Sequence, residues 1–311
     1  MTDLLARLPS LPGPGDAPLE PHPGSEAAGL FVRRTTDPAP EATRAVYLHG
    51  MGGSSTNWTD LMYLLAPAMP GIAPDLPGYG FSAPSPDGRY SLARNARAVV
   101  ELVESEECGP VHLFGNSMGG ATATIVAATR PDLVKTLTLI SPALLTRTAM
   151  GGRHIPLAWN ALLSLREGRQ LPPREAAAVQ FDRAMRLCYA NAERVPAARR
   201  TEALSEIQRR LELPYSVAVN LGTLRSIVKS SATSGPESIW NTARSVSTPT
   251  FGIYGARDRL VPVSMASRAA EAFERGRMVI LEDCGHVAQM EHPQLTAQIF
   301  LQWIASVTID N

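Results

Sequence analysis

The segment Gly115-Asn116-Ser117-Met118-Gly119-Gly120 constrains this chain more than any other. It follows the apolar run Val111-His112-Leu113-Phe114 and precedes a small-residue, helix-like stretch from Ala121 to Thr129. Strand, tight turn and helix succeed one another, with a serine at the apex. A turn that sharp crowds the backbone, so the residues beside the serine must be small, and G-x-S-x-G is the pattern that results. In return the hydroxyl stands above the sheet edge, and the following helix points its N-terminus at any anion that develops there. Ser117 is therefore the candidate nucleophile, and Asn116 beside it a candidate substrate contact.

A serine alcohol at neutral pH is a poor nucleophile and needs a general base. Near the C-terminus, Cys284-Gly285-His286-Val287-Ala288-Gln289 follows the apolar run Met278-Val279-Ile280-Leu281, so His286 sits in a loop just past a strand. Upstream, Phe251-Gly252-Ile253-Tyr254-Gly255 reads as a buried strand, and Asp258 lies in the loop after it. The expected roles are His286 as base and Asp258 as the carboxylate that orients it. An imidazole base changes charge near neutrality, so activity should rise with pH through that range. A fourth segment, Val46-Tyr47-Leu48-His49-Gly50-Met51-Gly52-Gly53, is a strand running into a glycine-rich loop. Acyl transfer needs donors aimed at an oxyanion, and the backbone N–H groups of Met51 and Met118 are assigned to that task. Gly50, Gly52 and Val287 join Asn116 as expected substrate contacts. His49 is read as a structural residue that holds its loop by hydrogen bonds.

These motifs, together with Asp75-Leu76-Pro77-Gly78-Tyr79-Gly80-Phe81-Ser82, resemble those of the α/β-hydrolase family across nearly the whole chain beyond residue 28. The order Ser117, Asp258, His286 is the triad order of that fold. The resemblance implies a mostly parallel central sheet flanked by helices, with an inserted helical cap and no cofactor or metal. It also implies that Asp75 to Ser82 shapes the pocket rim without taking part in catalysis. A serine at 117 speaks against haloalkane dehalogenase and epoxide hydrolase chemistry, which use an aspartate nucleophile in this family. The segments around Ser117 and His286, with Glu291-His292, are also similar to meta-cleavage-product hydrolases, which split a carbon–carbon bond in dienoate acids. That subfamily carries a tryptophan after its histidine, where this chain has Val287. The expected activity is hydrolysis of a carboxylic ester. The alternatives are carbon–carbon bond hydrolysis of a 2-hydroxy-6-oxo-dienoate-type acid, and a slow-turnover receptor for a small molecule.

Alternating apolar runs and helical patterns predict a parallel sheet covered on both faces. Strands are expected at 30–33, 45–48, 71–73, 111–114, 134–140, 250–254 and 278–281. Helices are expected around 58–66, 91–106, 117–130, 263–273 and 294–304. Residues 1–27 read as a Pro/Gly-rich arm, 28–143 and 245–311 as the core, and 144–244 as the cap. Within the cap, Phe181, Met185 and Cys188, and Leu204, Ile207 and Leu211, form helical stripes read as core packing. Met150, Leu157, Trp159, Leu162 and Leu165 are candidates to line the pocket. Leu145 to Trp240 holds 14 Arg and Lys against eight Asp and Glu, in a 311-residue chain whose net charge is zero. That excess fits either an anionic substrate beneath a basic lid or a solvated arginine-rich surface paired with its own glutamates; the second is the simpler reading.

Zero net charge gives no reason to expect a nucleic-acid partner. No apolar run approaches the length of a membrane helix, so no membrane insertion is expected. Residues 1–10 lack the basic start and apolar stretch of a secretory leader. Three scattered cysteines, Cys108, Cys188 and Cys284, suit a reducing compartment rather than a disulfide framework, so a cytoplasmic location is expected. The expected partner is a small-molecule substrate, and a homodimer is compatible with the composition.

Overall fold

The computed structural model describes residues 22–35, 42–146, 171–235 and 237–309. An eight-stranded sheet runs through it, with strands β1 (Gly24–Ala27), β2 (Leu30–Arg34), β3 (Ala45–Leu48), β4 (Gly71–Pro74), β5 (Val111–Asn116), β6 (Val134–Ile140), β7 (Thr250–Gly255) and β8 (Gly276–Leu281). The spatial order is β1-β2-β4-β3-β5-β6-β7-β8. β2 pairs antiparallel with both β1 and β4, and every other pair is parallel. The first strand lies inside what the sequence reading assigned to an irregular arm. Ala28 and Gly29, both at positive φ (47° and 73°), make the tight turn that folds Gly24–Ala27 back onto β2. The rest of that arm lies outside the described residues.

Successive strand residues face opposite sides of a sheet, and the core divides accordingly. Val46 and Leu48 of β3 join one apolar cluster, which includes α2 (Leu92–Ser105) and α3 (Met118–Thr129). Ala45 and Tyr47 join the other, with α1 (Thr59–Leu65) and α10 (Pro293–Ile309). The second cluster is aromatic: Tyr47 stacks on Phe114 at 4.7 Å, Phe114 meets Phe300 at 4.7 Å, and Phe251 stacks on Trp303 at 5.1 Å. Helix α2 shows how sequence sets the packing. Its Leu92, Ala96, Val99 and Val103 are buried at spacings of three and four, and Ser91 caps its start by accepting from the N–H of Arg94 at 3.2 Å.

Between β6 and β7 the chain leaves the sheet. Helices α4 (Pro173–Cys188), α5 (Ala197–Glu212) and α6 (Ser216–Ala232) follow. The next helix, α7 (Ile239–Arg244), buries Ile239, Trp240 and Ala243 in the core cluster shared with α3 and α8 (Met265–Ala272). It packs as part of the core, although the sequence reading placed it in the insertion. The Trp240 indole N–H donates to the Leu145 carbonyl at 2.8 Å, so the two ends of the insertion meet. Met150, Leu157, Trp159, Leu162 and Leu165 lie outside the described residues.

Candidate active site

Four loops leave the C-terminal ends of parallel strands on the same side of the sheet, and each carries one predicted site residue or group. After β5, Ser117 sits at φ 53° and ψ −115°, a conformation that side chains rarely adopt and that functional turns retain. The surroundings hold it there. Its N–H donates to the Ile140 carbonyl at 3.0 Å, and its carbonyl accepts from Ala121 and Ala143 at 3.1 and 2.8 Å. The flanking glycines are required by space: a Cβ on Gly119 would lie 2.1 Å from the Leu48 carbonyl oxygen, and one on Gly115 would lie 2.4 Å from that of Gly119. Helix α3 starts at Met118, whose side chain is buried in the core beside Asn95 while its N–H belongs to the unpaired first turn of the helix.

The loops after β7 and β8 meet. His286 Nδ1 lies 2.8 Å from Asp258 Oδ2, with both side chains almost fully buried. The other carboxylate oxygen accepts from the N–H groups of Leu260 and Val261 at 2.8 and 3.0 Å. Burial alone would raise the Asp258 pKa, but the His286 charge, its hydrogen bond and the two amides together hold it below the ordinary carboxylate range. Among the described residues, Ser117 Oγ and the His286 ring face one cavity without a hydrogen bond between them. In unliganded enzymes such serine–histidine contacts are often long and close only when substrate is seated.

The loop after β3 lies against the serine: a Cβ on Gly50 would stand 3.3 Å from the Ser117 Cβ and 3.1 Å from Asn116 Oδ1. His49 holds this loop. Its Nδ1 lies 2.8 Å from the Gly50 carbonyl, its Nε2 accepts from the Leu76 N–H at 3.0 Å, and burial pushes its pKa down. The Asp75–Ser82 segment is likewise structural. Buried Asp75 accepts from Ser55 and Phe81 amides at 2.6 and 2.8 Å, and Gly80, at φ 50°, has no room for a Cβ beside its carboxylate. Asn116, expected to contact substrate, lines the cavity but spends both amide donors on the protein, reaching the carbonyls of Ile140 and His286 at 3.0 Å each.

The cavity measures about 310 Å³. Gly50, Met51, Gly52, Asn116, Ser117, His286 and Val287 line it from the core. From the insertion come Met185, Cys188, Ile207 and Leu211, so part of each helical stripe read as core packing also faces the cavity, while Met185 and Cys188 pack against the cluster of Tyr189, Val195 and Val287 as well. Periodicity reveals an apolar face, not what covers it. Arg183 and Arg210 also line it. Burial pushes the Cys188 thiol up to about 12, so it stays protonated near neutral pH.

The model of the alpha/beta hydrolase fold matches residues 46–293. The chain belongs to this family. It is 25% identical over 268 residues to monoacylglycerol lipase abhd6-B of Xenopus laevis, covering 84% of this chain and 74% of that one. It is 26% identical over 285 residues to a 2-hydroxy-6-oxononadienedioate/2-hydroxy-6-oxononatrienedioate hydrolase of Cupriavidus pinatubonensis, covering 89% and 91%. A solved meta-cleavage product hydrolase from Pseudomonas fluorescens superposes with a TM-score of 0.71 at 19% identity, over 93% of this chain and all of that one.

The hydrolase also uses residues that no sequence motif marks. Its insertion is fastened to the core by arginines. Arg199 pairs with Asp60 at 3.2 Å, Arg194 with Asp283, while Arg209 donates to the Gly80 carbonyl and Arg210 to that of Gly52. From the core, Arg259 reaches back to the Arg186 and Tyr189 carbonyls. Glu202 and Glu206 supply the expected pairs within the insertion. Much of the positive excess is thus spent at the seam. The sequence shows the excess but not its targets, which are carboxylates for Arg194 and Arg199 and backbone carbonyls for Arg209 and Arg210.

Proposed function

We propose that this hydrolase is a serine hydrolase acting on a carboxylic ester, with Ser117 as nucleophile, His286 as general base and Asp258 as its orienting carboxylate. The buried 2.8 Å contact between His286 and Asp258, beside a strained serine on the same cavity wall, carries the reading. Ser117 Oγ adds to the ester carbonyl carbon as His286 Nε2 takes its proton. The Met51 and Met118 N–H groups receive the oxyanion, and collapse expels the alcohol with the proton from His286. Water then attacks the acyl-enzyme, with His286 again as base, and the acid leaves. The helices between β6 and β7 form a cap whose apolar face, with Met185, Ile207 and Leu211, receives the acyl chain. The lipase relative points to the same substrate class. The direct test is a fluorophosphonate probe. It should label Ser117 stoichiometrically, identified by peptide mass, and prior acylation with substrate should protect it. Labelling elsewhere, or none, removes the assignment.

A second reading has its own observation. Arg210 lines the cavity, its pKa is pushed down by burial, and its hydrogen bond goes to the neutral Gly52 carbonyl; among the described residues it pairs with no carboxylate within 4 Å. A buried cation favours an anionic ligand. This suits a dienoate acid of the kind named for the Cupriavidus relative, split by carbon–carbon hydrolysis. Assaying p-nitrophenyl esters of short and long acids beside a 2-hydroxy-6-oxo-dienoate separates the two. For an ester hydrolase, Arg210→Met changes ester turnover modestly and the dienoate is not consumed. For a dienoate hydrolase, Arg210→Met raises KM for the acid by about 10-fold or more while leaving neutral esters unaffected.

A further inference from the structure

We infer that Glu291 is a positioning residue for His286, holding the histidine loop against the helical insertion through a carboxylate that serves only as an acceptor. The inference rests on the proposed role of His286. Glu291 stands at the end of the short helix α9 (Ala288–Glu291), and its side chain is fully buried. Four donors converge on it. Oε2 accepts from the N–H of Gly285 at 2.8 Å and that of Ala190 at 3.1 Å. Oε1 accepts from the N–H of Asn191 at 2.7 Å and from Arg194 Nη1 at 3.3 Å. Each oxygen therefore ties the insertion, and one of them also grips the residue next to His286.

The surroundings are equally specific. The His286 N–H donates to the Cys188 carbonyl at 2.6 Å, and a Cβ on Gly285 would lie 2.4 Å from that oxygen and 2.7 Å from the Ala190 nitrogen. Residues 188–191 and 284–286 are thus laid side by side with no space between them, and Glu291 closes the arrangement from below. Asp258 fixes one ring nitrogen of His286, but a hydrogen bond to a ring sets its direction only if the backbone that carries it is also fixed. That second constraint is what Glu291 supplies.

The chemistry of the group argues against another use. Cys284, Glu291 and His292 bring their ligand atoms within 4.8 Å of one another, a spacing a metal could accept. Yet each Glu291 oxygen already receives two N–H donors, the Arg194 guanidinium occupies the same space, and burial pushes the Cys284 thiol up to about 12. The cluster is a hydrogen-bond hub.

The test uses Glu291→Gln in the full chain. The amide keeps the shape but turns one acceptor oxygen into a donor that faces two N–H groups. Four quantities are measured: kcat and KM for a p-nitrophenyl ester, the thermal midpoint, and the low-field proton resonance of the His286 Nδ1–H. Misplacing a catalytic group by about 1 Å costs on the order of 100-fold, so kcat should fall about 10- to 100-fold while KM stays within about twofold. The His286 resonance should broaden or vanish in the folded variant, and Glu291→Asp should restore part of both. An unchanged kcat per folded molecule with an unchanged resonance, whatever happens to the thermal midpoint, overturns the inference. Should Glu291→Gln not fold, Arg194→Met weakens the same hub without removing the carboxylate; it must then lower kcat and perturb the resonance, and an Arg194→Met protein with both intact overturns the inference. Failure of the serine mechanism would show itself separately, as activity surviving in Ser117→Ala, whereas the His286 resonance reports on the hub with no turnover required.

Discussion

Ser117→Ala should lower ester turnover by on the order of 10³-fold or more while leaving the fold unchanged. The two halves of that expectation have separate causes. Activity falls because the proposed attacking oxygen is removed while the turn that presents residue 117 stays held by backbone bonds to Ile140, Ala121 and Ala143 between tightly packed glycines. Stability survives because, among the described residues, the Ser117 hydroxyl has no hydrogen-bond partner to lose. The positive φ of 53° costs alanine about what it costs serine. Turnover per active site, set against the urea midpoint, measures both. Ester hydrolysis within about tenfold of the wild-type rate would end the role proposed for this serine.

Asp258→Asn should lower the rate by roughly 10²- to 10⁴-fold at neutral pH, and the structure says how. Oδ1 of Asp258 accepts from Leu260 and Val261, so the asparagine oxygen will keep those amides and turn its NH2 toward His286. The ring must then present Nδ1 as an acceptor and carry its proton on Nε2, where the serine proton has to go. The wrong tautomer is locked in without any change of shape. The same residue has a pH signature. Its folded pKa lies below the ordinary carboxylate value of about 3.9. A depressed carboxylate contributes stability that is complete above the unfolded pKa and is lost as pH falls through the folded one. Asp258 therefore stays charged across the working range, and any loss of rate between about pH 8 and 5 belongs to other groups. Urea midpoints taken from pH 7 down to pH 3 should fall less steeply in Asp258→Asn than in the wild type. Identical slopes would mean that Asp258 carries no special charge in the fold.

How far the residues alone announced this site depends on which interaction is considered. Ser117, Asp258 and His286 each follow a strand of apolar residues, and strands of that kind can be read from period and composition. Their convergence follows from the parallel sheet, since all three loops must emerge on one side. The hairpin strand Gly24–Ala27 was missed because its residues are polar and exposed on an edge, and its pairing depends on two positive φ angles at Ala28 and Gly29. Asn116 adjoins the serine, which points to a substrate contact, but its donors reach Ile140 and His286, residues distant in the chain. Glu291 and Arg210 were hidden for the same reason. A charge in a sequence shows no partner, and theirs, the Gly52 carbonyl for Arg210 and three backbone N–H groups with the Arg194 guanidinium for Glu291, are brought near only when the chain folds.

The meeting of Leu145 and Trp240 has an evolutionary consequence. Chain that departs and returns at one point can change length at little cost to the scaffold, because each doubling of a loop adds only about 0.6 kcal/mol of closure entropy. The inserted helices can thus vary in length between lineages while the sheet and the turn at Ser117 stay as they are. Any replacement inherits one obligation: it must offer a carbonyl to the amide of His286 and two N–H groups to Glu291, as residues 188 to 191 do here. Residues 188 to 191 thus constrain the insertion through their main chain, beside the arginine contacts that fasten it elsewhere to the core.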